Sequence, residues 1–523
     1  MFFLDRVSIF RKIHPNSLKM ISRFLFLIVN VIFIISCNTN DNDTIRNDDK
    51  ELLSFQIEAD INSKYISETI IGSVKDNTIR LVVPEVIDKT KLIATFEFVG
   101  KSVYVNDVEQ KSRSSSNDLS KPVFYEVYAE DESVEVYDIQ VVTLPSVQSN
   151  VPHLYIETDN RQPIDSKENY IHANLTIEGK GVYDDYQGRT KIRGRGNDSW
   201  NQPKKPYKLK LDDKVSLLGL LPEKKWILRS NYRGESLMLD AIGFRIAALL
   251  GMPYTNHAIP VDVTVNGQYQ GSYMFTEQKE AKPNRINVVD GGKYLDLDSY
   301  MNKPPGQFYS DYYELPVMVR YPSFKELSPS DAQRELELIK ADFHNMEKTI
   351  ADESFPNNNF LDYFEALDFV NYMIVYHLTL NREINHPKST YMHKHKGGKY
   401  KMGPVWDFDW GFGYNSQLDT HFNTPEQNLF VDSDMPGKVF FTRLLEDATI
   451  QNLYRKQWQD FKENSYPELI DYIESYANTI QESYALDYAI WEQGVGSSEE
   501  AAQQIINWLN VRVQYMDVYV SEL

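Results

Sequence analysis

Pro206-Tyr207-Lys208-Leu209-Lys210-Leu211 alternates apolar and basic side chains. A repeat of two is the period of an extended strand, so Tyr207, Leu209 and Leu211 share one side and Lys208 and Lys210 the other. Such a strand buries one face and offers ammonium groups from the opposite one. Around it, from His153 to about Tyr273, strand patterns dominate and one helical stretch interrupts them. That stretch is Ser236 to Leu250, with Leu237, Ile242, Ile246 and Leu249 near helical spacing and Gly251 as its stop. Val261–Val265 and Gln270–Phe275 flank Asn266-Gly267, the strongest short hairpin signal. From Leu327 onward the pattern turns helical. Ser328-Pro329 is a good helix start, and Leu336, Ile339, Phe343, Met346 and Ile350 form an apolar stripe. Leu367 to Leu380 reads as a buried helix, and helical patterns continue from about Lys438 to Val520. Strands followed by helices predict an α+β domain over 153–523.

Charge is concentrated around the opening strand. Arg189 to Arg233 carries thirteen Lys/Arg against four acids, a net +9 inside a chain of formal charge −20. The global charge repels a polyanion and excludes general nucleic-acid binding. The local excess favours a compact anion. The lesser alternative is a solvated strand face whose lysines protect an edge.

A second stretch supplies the opposite sign. In Val405-Trp406-Asp407-Phe408-Asp409-Trp410-Gly411-Phe412-Gly413, two carboxylates alternate with aromatics ahead of a glycine-punctuated turn. If extended, the segment projects Asp407 and Asp409 together and anchors Trp406 and Phe408 opposite. Paired hard oxygens suit Mg²⁺, which takes few protein carboxylates and completes its octahedron with water and substrate phosphates.

The N-terminal part differs in kind. Phe24 to Ile35 is apolar apart from Asn30, too short to span a bilayer but long enough for a signal-peptide core, with Lys19 and Arg23 as its positive flank. It ends in Ile34-Ile35-Ser36-Cys37, which resembles a bacterial lipobox, and Cys37 is the single cysteine. The expectation is a leader over 1–37 with lipid on Cys37. That anchors the chain in the outer membrane, on its periplasmic or its cell-surface side. An acidic tether follows over 38–51. Short strand patterns at Leu53–Ile57, Ile79–Val83, Phe124–Ala129 and Val134–Val142 predict an immunoglobulin-like β-sandwich over 52–145. It has no cysteine, histidine or glycine-rich loop to carry chemistry.

Five ordered pieces resemble the CotH kinase family: Arg193-Gly194-Arg195-Gly196-Asn197, Lys204 to Lys210, Lys225-Trp226-Ile227-Leu228, Gly271 to Gln278, and Trp406-Asp407-Phe408-Asp409. The resemblance covers roughly residues 153–420. It implies an atypical protein-kinase-like fold, ATP as substrate with a divalent metal (Mg²⁺ or Mn²⁺), and phosphorylation of protein serine or threonine. On the phosphoryl-transfer template it implies Lys208 as the nucleotide-phosphate lysine, with Lys210 as the fallback. Arg193 and Arg195 would clamp phosphate oxygens, and Glu277 would line the nucleotide pocket or orient the lysine. Asp407 and Asp409 occupy the metal position, with no indication of which leads.

One piece departs from the family. Asn381-Arg382-Glu383-Ile384-Asn385-His386-Pro387-Lys388-Ser389 offers Glu383 where the family has an aspartate base and Ser389 where it has a metal-binding asparagine. Asn385 offers a replacement amide and His386 a replacement base. A one-methylene displacement of a carboxylate can cost about a hundredfold in rate. An active kinase and a catalytically impaired pseudokinase, serving as a surface module for protein or carbohydrate, are therefore both compatible with the sequence. The scarcity of ATP outside the inner membrane bears on the choice. Either phosphorylation precedes export, or another phosphorylated or anionic ligand is used.

Overall fold

The computed structural model describes residues 47–523 apart from 146, 303–304 and 326. The leader and Cys37 lie outside the described residues. Residues 51–144 form two sheets around one apolar core. The smaller sheet has the strand order Ile70–Ile71, Glu51–Ile57, Leu92–Val99, Ser116–Asn117. The larger runs Ser73–Lys75, Thr78–Pro84, Val134–Leu144, Val123–Tyr128, Ser102–Val105, Val108–Glu109. Alternation in each strand sends every second residue inward, so Phe55, Phe96 and Tyr125 meet at the centre, with Phe55 edge-on to Tyr125 at 5.1 Å.

The chain then builds a closed barrel from β1 (His153–Thr158), β2 (Ile171–Glu178), β3 (Tyr186–Gly194), β4 (Tyr207–Val215), β5 (Glu223–Arg229), β6 (Ile259–Val265) and β7 (Gln268–Glu277). Their order around the barrel is β1-β2-β3-β4-β5-β7-β6, and β1 closes it by parallel pairing with β6. Closure leaves no edge to protect. Tyr207, Leu209 and Leu211 fill the interior with Trp226, Leu228 and Phe275. Lys208 and Lys210 stand on the outer face, as the period of two requires. Asn266 and Gly267 both take positive φ (52° and 81°) in the β6–β7 turn, a conformation that suits Asn-Gly. Helix α1 (Leu239–Leu249) leaves β5, three residues shorter at its start than the pattern over Ser236–Leu250 predicts. Leu237 has positive φ (62°) and holds the preceding turn out of the helix.

Beyond the barrel lies a second body with its own core. Its sheet has the order β9-β10-β8-β11-β12, from β8 (Lys293–Leu297), β9 (Gln307–Tyr309), β10 (Pro316–Tyr321), β11 (Thr390–Lys394) and β12 (Lys401–Met402). Helices α2 (Pro329–Ala351), α3 (Ala366–Thr379), α4 (Pro436–Leu444), α5 (Ala448–Asp460), α6 (Tyr466–Thr479), α7 (Gln481–Trp491) and α8 (Ser498–Glu522) pack with it. Ser328 caps α2 by accepting from the Asp331 amide at 3.1 Å, and the predicted stripe from Leu336 to Ile350 is buried. Helix α3 is buried over Asp368–Thr379, with Asp368, Asn371 and His377 set among its apolar residues. The whole is a mixed α+β chain, and the candidate residues lie where the barrel's outer face meets this second body.

Candidate functional site

Asp407 and Asp409 lie in the loop that follows β12. The segment is not a strand: Asp407 adopts φ +72°, a left-handed conformation uncommon outside glycine. The aromatic anchoring nonetheless holds. Trp406 stacks on Phe244 of α1 at 5.6 Å and Phe408 meets the same ring edge-on at 6.3 Å. A Cβ on Gly243 would collide with the Phe408 ring, so α1 passes this loop only because that position is glycine. The Phe408 amide donates to Asp240 Oδ1 at 3.0 Å, tying the loop to α1 by a polar contact as well.

The two aspartates differ in charge state. Burial alone would raise the Asp407 carboxyl, but Arg229, Lys279 and Lys388 outweigh it and hold the group well below the usual carboxylate range. Arg229 donates to Asp407 Oδ1 at 3.0 Å and also pairs with Asp240. Asp409 goes the other way: burial, then the neighbouring Asp407 charge, pushes its carboxyl well up. Asp407 is therefore the member of the pair held ionised, a distinction absent from the alternating sequence.

The departing stretch 381–389 converges on the same loop. Asn381 is the pin: its amide donates to the Asp407 carbonyl at 2.9 Å and its oxygen accepts from the Glu383 amide at 3.2 Å. Glu383 is 4% exposed, and Lys388, 20% exposed, donates to its Oε1 at 2.8 Å. Ser389, at φ +49°, donates to Asp407 Oδ2 at 3.3 Å. Asn385 does not join them. Its amide donates to the carbonyls of Arg382 and Leu429 at 2.9 and 3.0 Å, and its oxygen accepts from the Val431 amide at 3.2 Å. That corrects the expectation of a catalytic or metal-binding Asn385: all three bonds go to backbone. His386 Nδ1 is likewise spent, donating to the Glu383 carbonyl at 2.7 Å.

Burial, and then Asp407, pushes the Glu383 carboxyl up to about 8 from its ordinary 4.5. Lys388 is held charged against its burial by Glu383, Asp407 and Asp298, so the more deeply buried carboxyl is the member that takes the proton. A carboxyl whose pKa is higher folded than unfolded contributes stability that is complete below about pH 4.5 and is lost as pH rises through about 8. Glu383→Gln mimics the protonated form at every pH. Its melting temperature relative to wild type is therefore expected to climb between pH 4.5 and pH 8.5 in metal-free buffer. Paired thermal melts check this, and a flat difference across that range would contradict the assignment.

Much of the basic window is consumed by structure. Six of its thirteen cations form ion pairs: Arg189 with Asp159, Lys204 with Asp487, Lys214 with Glu223, Lys225 with Glu280, Arg229 with Asp240, and Arg233 with Asp198. Arg193 and Lys208 sit opposite each other on β3 and β4. Arg193 lies over the Tyr170 ring at 5.0 Å. Burial, then Arg193 and Lys225, presses the Lys208 ammonium down to about 7. Arg195 lies over the Trp406 ring at 5.7 Å, and burial followed by Arg229 lowers its guanidinium to about 10. Neither Arg195 nor Lys208 forms an ion pair among the described residues, although Asp407 acts on the first and Glu280 on the second. Lys210, the fallback, is exposed and reaches only the Tyr170 ring at 6.0 Å.

Glu277 does not orient Lys208. It lies on the same side of β7 as Tyr273 and Phe275, the side facing the barrel interior. Its carboxylate accepts from the His257 amide at 2.9 Å and from His257 Nδ1 at 2.6 Å. The alternation of β7 forces this, because Lys208 points outward from β4. Three groups escaped the sequence reading. Arg229 was one cation among thirteen, Asp240 looked like an ordinary first-turn acid, and Lys279 lies two residues beyond Glu277. Lys279 Nζ sits 4.2 Å from the Trp406 ring centre and 3.7 Å from that of Tyr391, and donates to the Tyr391 hydroxyl. Burial presses its ammonium well down against the pull of Asp296 and Asp407, while the two rings favour the cationic form.

No group of three or more His, Cys, Asp or Glu is arranged to hold a metal ion among the described residues. Mg²⁺ and Mn²⁺ ask for less than a full protein cage, because substrate and water supply the remaining oxygens. Asp409 Oδ1 and Glu383 Oε2 are buried with no protein partner, beside the ionised Asp407. Hard, unpartnered oxygens fit such a cation. Space beside them is limited: a pocket of about 20 Å³ between Arg195, Arg229, Asn231, Arg233 and Asp409 holds roughly one water or ion. A far larger cavity of about 1760 Å³ lies between the N-terminal sheets and the barrel, and none of the candidate residues lines it.

Comparison with known proteins gives one family. The profile described as CotH kinase protein matches residues 192–516, more than half of the chain. No curated protein matches. Among solved structures, a protein from Bacteroides thetaiotaomicron provisionally described as a glycoside hydrolase aligns at 11% identity over 57% of this chain and 89% of its own. Its TM-score is 0.16, too low to bear on fold or function.

Proposed function

The chain belongs to the CotH kinase protein family, and on that premise we propose that the cleft binds ATP with Mg²⁺ or Mn²⁺ and phosphorylates serine or threonine of a protein. The observation that carries this reading is the pair of orphaned oxygens, Asp409 Oδ1 and Glu383 Oε2, set beside the charged Asp407 and ringed by cations. Burying an unpartnered carboxyl oxygen is costly; a divalent cation would satisfy Asp409 Oδ1, and Glu383 Oε2 is left to face the reacting hydroxyl. Asp407 and Asp409 would hold the metal, with Ser389 as a further oxygen. Bound there, the metal would neutralise charge on the transferred phosphoryl group. Arg193, Arg195 and Lys208 offer the facing cations for phosphate oxygens. Glu383, with a pKa of about 8, is suited to take the proton of an attacking hydroxyl near neutral pH.

The pocket of about 20 Å³ beside Asp409 is far smaller than the roughly 300–1,000 Å³ that small-molecule sites occupy. That size, together with the commitment of Asn385 to backbone, favours the second reading, a pseudokinase that binds without turning over. The N-terminal pair of sheets is proposed as an immunoglobulin-like module. Lipid on Cys37 is proposed to anchor the chain to the outer membrane, at the periplasmic or the outer surface, near a protein or carbohydrate partner.

Thermal unfolding with Mn²⁺ and ATP together tests nucleotide binding. A ligand at 100 times its dissociation constant should stabilise by about 2.7 kcal/mol. A shift that needs both components supports the cleft. No shift with millimolar ATP and Mn²⁺ removes the nucleotide reading.

A further inference from the structure

Arg233, in the connection between β5 and α1, joins the barrel to the loop that continues from Asp409. Its side chain is 14% exposed, yet its carboxylate partners are surface groups. Asp198, in the short turn after β3, is 47% exposed, and Asp419 of the loop is 65% exposed. Nη1 pairs with Asp198, and Nε donates to Asp419 Oδ1 at 3.1 Å. The same guanidinium lies 5.6 Å from the Trp410 ring centre and 5.5 Å from that of Tyr414. The Tyr414 hydroxyl donates to Asp419 Oδ1 at 2.5 Å, so ring and carboxylate grip the arginine as one unit. Arg233 and Asp198 line the pocket of about 20 Å³ beside Asp409, whereas Tyr414 and Asp419 do not.

The segment that carries Tyr414 and Asp419 is bounded by unusual backbone. Phe412 and Gly413 at one end and Phe422 at the other have positive φ (52°, 66° and 60°). For the two phenylalanines that conformation persists only where surrounding contacts hold it. Arg233 supplies part of the hold, through an ion pair with an exposed carboxylate, which is individually weak.

We propose that Arg233 is a plug in the wall of the pocket, latched there by Tyr414 and Asp419, and that its release admits the nucleotide. The inference rests on the proposed nucleotide cleft and names what keeps it shut. Opening breaks the Asp419 pair and the Tyr414 contact. Arg233 then turns out of the pocket wall with Asp198, its exposed partner on the barrel side. A ligand that needs the open state binds with an affinity reduced by the fraction of molecules that are open. Weakening the latch therefore speeds amide exchange in the loop and tightens the ligand together.

The test reads two quantities on the full chain: amide hydrogen exchange over 413–420 without ligand, and the calorimetric dissociation constant of ATP in Mn²⁺ buffer. Asp419→Asn is the primary variant, because Asp419 does not line the pocket. It removes the ion pair and keeps an oxygen for the Tyr414 hydroxyl. Exchange is expected to rise about threefold, and ATP to bind about threefold more tightly. Arg233→Ala removes the plug and its ring contacts, and both quantities are expected to shift about tenfold. Unchanged exchange in both variants overturns the latch. Faster exchange with unchanged ATP affinity in Asp419→Asn shows a loop that is pinned without gating the pocket, and overturns it as well. Weaker ATP binding in Arg233→Ala beside an unchanged Asp419→Asn makes the arginine a phosphate contact instead, and the inference falls while the cleft stands. If wild type and both variants fail to bind millimolar ATP with Mn²⁺, the nucleotide reading falls and takes this one with it. Should Arg233→Ala not fold, the surface variant Asp419→Asn decides alone.

Discussion

Asp407→Asn is expected to lower metal-dependent autophosphorylation by about 10²–10³-fold, the range seen when one preorganised charge-stabilising group is removed. Asparagine keeps the size of the side chain and an oxygen to accept from Ser389, and the Asn381 bond is to the Asp407 backbone, so the loop should hold its course. What disappears is the charge. Asp407 is the ionised member of the pair and the convergence point of Arg229, Lys279 and Lys388. Without it Arg229 retains Asp240, and the carboxyl left for a divalent cation is Asp409, whose ionisation burial still opposes. Asp409→Asn should cost less metal affinity, because that carboxyl already leans toward its neutral form. Incorporation of labelled phosphate and the Mn²⁺ dissociation constant measure the two effects. Wild-type activity in Asp407→Asn, or a larger loss in Asp409→Asn, would reverse the assignment of the lead ligand.

The largest expected effect on stability lies far from that chemistry. Asp487→Ala is predicted to destabilise the chain by about 3–5 kcal/mol, the cost of leaving a buried charge without its partner. Lys204 is 0% exposed and Asp487 on α7 is 3% exposed; they form an ion pair that joins the Lys204 loop to the helical body. Asp487 Oδ2 also accepts from the Ser272 amide at 2.7 Å, so α7, β7 and the loop before β4 meet at one carboxylate. A Cβ on Gly271 would strike that carboxylate, which is why β7 carries glycine there. Burial opposes ionisation of both partners, raising the aspartate and lowering the lysine. Replacing the pair together, as Lys204→Met with Asp487→Leu, should recover most of the loss, since a packed apolar pair avoids the desolvation penalty. Urea unfolding of the two single variants and the double variant checks this. A single Asp487→Ala cost below about 1 kcal/mol would place the pair among weak surface bridges.

Lys204 and Lys208 illustrate how far the sequence could be read. Both belong to one basic run, and nothing in their spacing marks one as structural and the other as free. Lys208 could be placed on an outward face because a strand alternates strictly. Lys204 lies in the loop before β4, and its partner is 283 residues further on. The same division applies to the second hairpin strand. Asn266-Gly267 predicts the turn from local conformational preference, while the side taken by Glu277 depends on which face of β7 the closed barrel turns inward. Glu383 and Asp407 lie 24 positions apart in the sequence. Their meeting depends on Asn381, whose two side-chain bonds reach both segments.

By itself the amino-acid sequence determined the order of elements, the apolar faces, the helix cap at Ser328, the +9 window and the family, because these follow from local periodicity, backbone preference and motif order. Tertiary structure alone decided which cations are free, that Asp407 rather than Asp409 carries the charge, that Asn385 is spent on backbone, and that Lys279 enters the cleft. The reason is physical. Propensity acts over a few residues, whereas charge state and hydrogen-bond availability depend on burial and on partners that only the folded chain brings within reach.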